Sequence, residues 1–198
     1  AEAVNKFKRD GKYRPLYANA FGTIGISGER TLKALSQYLL TLVSANSKYD
    51  AVMAKKDTFT TIEQKGYLLF KKHCSSCHTE PLFTNGNFEN NGLPIDTTLN
   101  DMGRMRVSTL ETDRLKFKVP TLRNIQFTYP YMHDGRFATL TEVLKHYNTG
   151  IYQSATLSDK LKIPMQLSNN QRVEIVAFLK TLTDKEFLLN KKYGFIGK

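Results

Sequence analysis

Two cysteines and a histidine occur together in the stretch Cys74-Ser75-Ser76-Cys77-His78. Thiols at this spacing can bind zinc, form a disulfide, act as a redox dithiol, or bond to the two vinyl groups of one porphyrin. The histidine directly after the second cysteine favours the porphyrin, because its imidazole then reaches the haem iron from the same face. The motif therefore predicts one covalent haem c on Cys74 and Cys77, with His78 as the proximal iron ligand.

The other interpretations of the motif require features elsewhere in the sequence. A redox dithiol opens a helix after a strand in a βαβ unit, and no such pattern surrounds Cys74. A zinc site needs two more ligands at short spacing. The remaining histidines form no second paired motif; they are His73, His133 and His146. Zinc binding and a disulfide remain as alternatives to haem attachment.

The 198 residues are 40% hydrophobic and 11% aromatic, a composition typical of a globular chain with one large core or two small ones. The apolar runs are too short for a transmembrane helix, so we expect no membrane span. No signal peptide is visible at Ala1. Because haem is attached covalently outside the cytoplasm, we predict a periplasmic protein whose export signal was removed or lies upstream of this sequence.

Lysine and arginine (29) outnumber aspartate and glutamate (18), which gives a formal net charge of +11. Nucleic-acid binding would concentrate these charges on one face or along one helix. They are instead scattered along the sequence, so we predict a solvated basic surface and no nucleic-acid partner. The functional version of such a surface is a face that docks an acidic redox protein, since complementary charge accelerates encounter.

Helical signals precede and follow the cysteine motif. Leucines at three- and four-residue steps after Ser27 predict an amphipathic helix over residues 28–44, and a shorter helix is expected over residues 12–21. Three capping boxes predict further helix starts, and the first of these helices runs into Cys74. The boxes are Thr60 with Glu63, Thr139 with Glu142, and Ser168 with Gln171. The last helix carries an apolar stripe of Val173, Val176, Phe178, Leu179 and Leu182.

Glycine, proline, asparagine and threonine are frequent between residues 79 and 134, which predicts a long loop region. A loop this long in a compact domain is usually functional, and here it would wrap the porphyrin. Residues 105–107 and 115–119 are predicted to form a short antiparallel pair. Four arginines of the region are candidates for pairing with the haem propionates: Arg104, Arg106, Arg114 and Arg123.

Longer strings of the sequence resemble the bacterial di-haem cytochrome c peroxidases. The first is the motif with its continuation, CSSCHTEPLFT at residues 74–84. Others follow in the family's order: VPTLRNI (119–125), TYPYMHDG (128–135), ATLTEV (138–143) and AFLKTLT (177–183). Upstream, YRPLY (13–17) and LVSANS (42–47) also match. The resemblance therefore spans nearly the whole chain.

The resemblance implies a mostly α-helical, cytochrome c-like fold with at most a short β-hairpin, in one domain of residues 1–198. Residues 1–58 would form an N-terminal helical segment packed on a haem-binding core, residues 59–198. Family members carry a further N-terminal domain, whose own haem binds peroxide and which supplies the catalytic Glu and Gln and an inter-haem Trp. This sequence has one haem motif and no tryptophan. We therefore expect that domain to be absent and assign no catalytic residue here.

The resemblance also identifies a second axial ligand for the iron. In the family a methionine on the helix after the His-Asp-Gly string ligates the electron-transfer haem. The corresponding position here is Tyr147, as in the related enzyme that matures methylamine dehydrogenase. A phenolate favours ferric or higher iron, whereas a thioether favours ferrous iron. Met132 and Met165 are the alternative ligands, and a core-facing aromatic is the alternative role for Tyr147.

The family further binds calcium between its domains through backbone carbonyls of a Thr-x-Pro segment, which Thr128 and Pro130 match here. Carbonyl oxygens suit this hard cation. The remaining protein ligand would be an asparagine of the absent domain. His133 would either face the second haem or fix its own loop through a local hydrogen bond.

The function implied by the resemblance is electron transfer within a peroxidase. Electrons would pass from a small donor, a cytochrome or cupredoxin, through this haem to a peroxide-reducing haem on the N-terminal domain, where hydrogen peroxide is reduced to water. One alternative, suggested by Tyr147, is an oxidase of a protein substrate that uses high-valent iron. Another is a complete mono-haem electron carrier. Family members are often dimers, so a homodimer is a further expectation.

Overall fold

The computed structural model describes residues 2–193. Within this range the chain forms two compact units, one of residues 2–43 with 190–193 and one of residues 44–189. The cysteine motif belongs to the larger unit. The predicted packing of residues 1–58 on the haem-binding core stays a prediction.

The smaller unit is helical. Its elements in the described range are α1 (Glu2–Arg9), α2 (Tyr13–Phe21), α3 (Gly28–Thr41) and a 3-10 turn at Lys191–Tyr193. α2 ends where Gly22 adopts a φ of 74°, and the Ser27 hydroxyl caps α3 by accepting the Arg30 N–H at 3.2 Å. Both predicted helices are confirmed. The leucines of α3 are exposed in this structure; they include Leu32, Leu35 and Leu39. The periodicity of the sequence predicted the helix but not which surface would cover its apolar side.

The larger unit is also mostly helical and contains a two-stranded sheet, as expected. Its α-helices are α4 (Lys48–Met53), α5 (Thr61–His73), α6 (Met105–Ser108), α7 (Leu140–Lys145), α8 (Asn169–Lys180) and α9 (Lys185–Leu189). Short 3-10 helices occur at Glu111–Asp113, Ile125–Phe127 and Asp159–Leu161, and a π-helical turn at His146–Gly150 follows α7 directly. Among residues 2–193, no helix is both long and apolar enough to cross a membrane.

The three predicted capping boxes are confirmed at the starts of α5, α7 and α8. In each box the hydroxyl of the first residue accepts a backbone N–H three residues on, and the side chain there accepts the N–H of the first residue. A fourth box, formed by Ser47 and Asp50, begins α4 and was not identified from the sequence. Local hydrogen bonds thus determine where these helices begin.

The core of the larger unit lies where α5 crosses α8. At Gly66 of α5 a Cβ atom would lie 1.9 Å from the Glu174 carbonyl oxygen of α8, so only glycine allows the two backbones to approach this closely. Next to the crossing, the fully buried rings of Phe70 and Phe178 pack with their centroids 5.0 Å apart. This crossing fixes the direction in which α5 delivers the chain to Cys74.

The apolar stripe predicted for α8 is correct in part. Phe178, Leu179 and Leu182 are buried, whereas Val173 is 58% exposed and Ile175 is fully buried in the core. Val173 and Ile175 lie two positions, or about 200°, apart on the helix, so α5 can cover only one of them. Ile175 belongs to the buried core cluster, and Val173 lies on the exposed side.

The sheet differs from the sequence prediction. Strand β1 (Phe88–Glu89) pairs with strand β2 (Phe117–Lys118) in antiparallel register. The predicted pairing of residues 105–107 with 115–119 is wrong, because residues 105–107 lie in α6. An isolated bridge instead joins Lys116 to Gly103, which precedes α6. Three alternating residues do not distinguish a strand from a single helical turn, which explains the error.

Candidate haem site

The cysteine motif begins at the C-terminal end of α5, where the Cys74 N–H donates to the Phe70 carbonyl at 2.8 Å. Cys74, Cys77 and His78 all line one cavity of about 570 Å³. This volume lies within the range of roughly 300–1,000 Å³ that is typical of cofactor pockets. Apolar side chains of other segments complete the lining; they include Leu122, Leu140, Leu144, Ile175 and Leu179. A concave, largely apolar site with few polar groups suits a porphyrin.

The ring of His78 is held in the state that an iron ligand requires. Its Nδ1 lies 3.1 Å from the Phe83 carbonyl oxygen and 3.2 Å from that of Pro120. Because both partners are acceptors, Nδ1 carries the proton and the lone pair of Nε2 is left for a metal. Burial lowers the pKa of His78 by more than the hydrogen bonds with the two carbonyls raise it, so the ring is neutral at pH 7. A neutral imidazole oriented through its other nitrogen is typical of metal-bound histidine.

The two cysteines fit thioether attachment better than the alternatives. Both are free thiols. Burial, with Cys77 as a smaller cause, raises the pKa of the Cys74 thiol to about 12, which disfavours the free thiolate of a reactive dithiol. In the part of the chain that the structure describes, no three His, Cys, Asp or Glu side chains form a group that could hold a metal ion. The site therefore fits covalent haem.

The segment that follows the motif is held from two directions. One carboxylate oxygen of Glu80 accepts the hydroxyls of Tyr49, at 2.6 Å, and Tyr67, at 2.9 Å. These bonds connect the segment to α4 and α5. The Arg123 Nε donates to the Pro81 carbonyl at 3.0 Å. Together these contacts fix the chain on the C-terminal side of His78.

The four arginines predicted to pair with haem propionates already have partners within the protein. Arg123, the one of the four that lines the cavity, makes two hydrogen bonds with the Asp50 carboxylate, at 2.9 and 3.0 Å. Arg104, Arg106 and Arg114 contact Asp113, the Asn100 carbonyl oxygen and Glu111, in that order. Pairing with a propionate would require any of them to change partners.

Tyr147 is the second residue of the π-helical turn after α7 and lines the same cavity. π-helical turns are frequent at functional sites. Burial raises the pKa of the Tyr147 hydroxyl to about 12, and a hydrogen bond with the side chain of Asn91 acts in the opposite direction. Electrostatic interaction with Cys74 and Cys77 raises the pKa slightly further, and all three residues line the same cavity.

The two alternative methionine ligands also line the cavity. Met132 has a φ of 73°, and its sulfur accepts a hydrogen bond from Asn91 Nδ2 at 3.4 Å. Met165 packs against the hydrophobic core, and its N–H lies 3.5 Å from the Tyr147 carbonyl oxygen. All three candidates for the second axial position therefore reach one cavity.

The predicted calcium ligands and His133 lie at an exposed part of the same cavity lining. Thr128 and Pro130 belong to the loop that leads into Met132. The ring of His133 stacks on Phe117 of β2, with centroids 3.7 Å apart and planes at 12°. This aromatic contact, rather than the local hydrogen bond considered from the sequence, fixes the orientation of the ring.

Two residues of the site were not identified from the sequence, namely Asn91 and Lys160. The Lys160 ammonium lies 3.1 Å from Glu89 Oε1 and 3.6 Å from the Cys77 sulfur. Asn91 donates a hydrogen bond to the Met132 sulfur at 3.4 Å, and its side chain partly offsets the rise in the pKa of Tyr147. Asn91 lies in a loop and Lys160 in the 3-10 helix Asp159–Leu161, and no spacing rule relates either residue to the motif. An Asn-Asn-Gly turn was the one local signal near Asn91.

Comparison with known families divides the chain into two parts. Residues 63–183 match the family described as Cytochrome c, and residues 1–58 match the family described as Di-haem cytochrome c peroxidase. The cytochrome c match covers more than half of the sequence and includes the motif and Tyr147.

The sequence relatives are longer proteins. Cytochrome c551 peroxidase of Nitrosomonas europaea is 36% identical over 176 residues, which cover 87% of this chain and 49% of the relative. Methylamine utilization protein MauG of Methylorubrum extorquens is 35% identical over 185 residues, which cover 90% of this chain and 51% of the relative. This chain thus spans about half the length of the curated relatives it matches.

A solved structure has the same fold. The crystal structure of a MauG-like protein associated with microbial copper homeostasis superposes with a TM-score of 0.78 at 30% identity, covering 98% of this chain and 64% of that one. The fold, the motif geometry and the family matches agree. The chain belongs to the cytochrome c family, and its relatives are cytochrome c peroxidases and MauG proteins.

Proposed function

We propose that this chain is the electron-transfer haem domain of a di-haem peroxidase. Electrons enter from a small redox donor, pass through the haem on the cysteine motif, and leave for a peroxide-reducing haem on a further, N-terminal domain. The observation that carries this proposal is the geometry of His78, whose Nδ1 donates to two backbone carbonyls beside two free thiols in one cavity. The half-length match to named cytochrome c peroxidases supports the place of this domain in a larger enzyme.

When bound, haem c supplies a one-electron iron couple whose potential depends on its axial ligands and surroundings. The chain's own residues determine those surroundings. Cys74 and Cys77 would bind the macrocycle covalently, and His78 would offer Nε2 to the iron because the Phe83 and Pro120 carbonyls hold Nδ1. The apolar lining excludes water from the iron's vicinity.

Tyr147 is the proposed second axial ligand. It lines the same cavity as both cysteines, and the side chain of Asn91 lowers its pKa in part against the rise caused by burial. Met132 is a weaker candidate because its sulfur already accepts a hydrogen bond, and Met165 because it packs into the hydrophobic core. A phenolate favours ferric iron and lowers the reduction potential.

The exposed part of the cavity lining is the proposed contact with the second haem domain. The stacked pair of His133 and Phe117 lies there, and so do the Thr128 and Pro130 carbonyls proposed for calcium. The net charge of +11 favours an acidic donor such as a small cytochrome or cupredoxin. Export to the periplasm and dimerisation complete the proposal, on the basis of covalent haem chemistry and family resemblance respectively.

A second candidate function is oxidation of a protein substrate through iron above the ferric state. Tyr147 is the observation that favours it, because an anionic ligand stabilises the more oxidised iron. The match to MauG proteins is consistent with this candidate. A strongly negative reduction potential would favour it over simple electron transfer, and a clearly positive potential would exclude it.

The proposal is tested by maturing the chain in a host that attaches haem c, then measuring its intact mass under denaturing conditions. We expect one covalent haem on the 22.6 kDa chain, a ferric–ferrous couple that exchanges electrons with small donor proteins, and little peroxide turnover by this chain alone. Absence of covalent haem would overturn the proposal. Rapid peroxide turnover by the isolated chain would contradict its role as the electron-transfer half.

A further inference from the structure

A lysine ammonium lies at the part of the cavity where the cysteine motif supplies its second sulfur. The Lys160 Nζ is 3.6 Å from the Cys77 sulfur and 3.4 Å from the Ser76 carbonyl oxygen. It also lies 3.1 Å from Glu89 Oε1, with which it forms an ion pair. An ammonium has three N–H donors, so each donor has one partner here. All four residues line the haem cavity, and the three contacts hold a positive charge against the motif.

Main-chain contacts next to the ion pair keep its two residues close together. Asn90 directly follows Glu89, and its carbonyl accepts the Ser158 N–H at 3.1 Å. Ser158 precedes the 3-10 helix Asp159–Leu161, which carries Lys160. The backbone from which the Lys160 side chain starts is therefore attached to the segment of Glu89, and the three partners hold the end of that side chain.

The ion pair is partly shielded from solvent. The side chain of Lys160 is 40% exposed and that of Glu89 is 23% exposed. Ion pairs with this much exposure contribute little to the free energy of unfolding, so stability alone gives the pair a small role. Its position has a second consequence, because a charge at the wall of a largely apolar cavity interacts more strongly with charges inside the cavity than it would in water.

We infer that Lys160 raises the reduction potential of the haem through its ammonium, which Glu89 and the Ser76 carbonyl hold beside the Cys77 sulfur. The inference rests on the proposed function, in which Cys77 carries the macrocycle and the iron alternates between ferric and ferrous forms. The ferric form has one more positive charge, so a nearby ammonium disfavours it. Donation of an N–H to the sulfur acts in the same direction, and the Glu89 carboxylate acts against both.

The test is a redox titration of the haem-loaded chain with and without this charge. In Lys160→Met we expect the ferric form to gain about threefold over the ferrous form, which lowers the potential by about 28 mV, since tenfold corresponds to 59 mV for a one-electron couple. Lys160→Arg keeps the charge and should keep the potential close to that of the parent. Lys162→Met is the matched control, because this exposed lysine pairs with the exposed Asp159 and should leave the potential unchanged.

The partner of the ion pair separates a charge effect from a structural one. Glu89→Gln should raise the potential, because it removes the carboxylate that offsets the ammonium. A purely structural role would move Lys160→Met and Glu89→Gln in the same direction, since each variant breaks the same ion pair. Should Lys160→Met fail to retain haem, Lys160→Gln removes the charge, keeps a hydrogen-bond donor and gives the same measurement. Intact mass confirms that every variant carries one haem.

The outcomes distinguish this inference from the proposed function. If the parent carries one covalent haem but Lys160→Met leaves the potential unchanged or raises it, the inference is overturned and the proposed function stands. Shifts of the same sign in Lys160→Met and Glu89→Gln would likewise overturn it, and so would an equal fall in Lys162→Met. If the parent carries no covalent haem, the proposed function is wrong and the inference is lost with it.

Discussion

On one side of the cavity, Cys74, Cys77 and His78 come from five consecutive residues at the end of α5, whereas Tyr147 comes from the π-helical turn after α7, and Asn91 and Met132 come from two separate loops. The first group, here called the proximal set, needs only the helix that delivers it and two carbonyls that orient the imidazole. The second group, the distal set, exists only once the loops have met. The proximal set should therefore tolerate distant change, while the distal set should respond to substitutions far away in sequence.

The largest effect is expected from breaking the proximal set. Changing Cys74 and Cys77 together to alanine should abolish covalent haem, because both thioether bonds are lost. Intact mass under denaturing conditions measures this directly. Ser76→Ala, an exposed change inside the same motif, should keep one haem per chain. Covalent haem in the double variant would show that the motif is not the attachment site.

The helix frame behind the proximal set should be nearly as sensitive. Gly66→Ala forces a Cβ to within 1.9 Å of the Glu174 carbonyl, so α5 and α8 must separate. We expect a loss of about 3 kcal/mol in the free energy of unfolding, the upper end for overpacking. Chemical denaturation of the haem-loaded protein measures it. Gly28→Ala is the matched control, since a Cβ there meets nothing within 4 Å; equal losses in both variants would contradict the close crossing.

The ion pair of Asp50 and Arg123 supports the proximal set from a distance in sequence, because Arg123 also donates a hydrogen bond to the Pro81 carbonyl after the motif. Burial raises the pKa of Asp50, but hydrogen bonds from Arg123 and Ser47 outweigh it and the pKa is lowered. Asp50→Asn should lose about 2 kcal/mol of stability at pH 7, because the bonds to a charged acceptor are weakened. Denaturation at neutral pH measures this loss, with the exposed Asp57→Asn as control.

The same pair predicts a pH dependence. A carboxyl whose pKa is lowered in the folded state contributes stability above its unfolded pKa, near 3.9, and loses it as the pH falls through the folded value. The parent protein should therefore lose stability below about pH 4 more steeply than Asp50→Asn. If the free energy of unfolding fell in parallel for the two proteins between pH 5 and pH 2, Asp50 would not be the cause of the acid sensitivity.

The sequence predicted what is local. A capping box is formed within four consecutive residues, so the starts of α5, α7 and α8 could be identified from the sequence. The cysteine motif likewise predicted a haem site, and its three residues line one cavity. The errors concern contacts between distant segments. Strand β2 pairs with residues 88–89 rather than 105–107, and Ile175 rather than Val173 is buried, because each outcome depends on what packs against the element. Lys160 carries no local signal, and the Asn-Asn-Gly turn around Asn91 predicted a loop but not its contact with the Met132 sulfur.

The central claim is that His78 and Tyr147 are the two axial ligands of one covalent haem. The reduction potential and the ferric near-infrared spectrum of the haem-loaded chain test it most directly, read beside Tyr147→Phe. We predict a negative potential, no thioether charge-transfer band, and a changed spectrum with a higher potential in Tyr147→Phe. A clearly positive potential with a thioether band, unaltered in Tyr147→Phe, would show that a methionine is the ligand and contradict the claim.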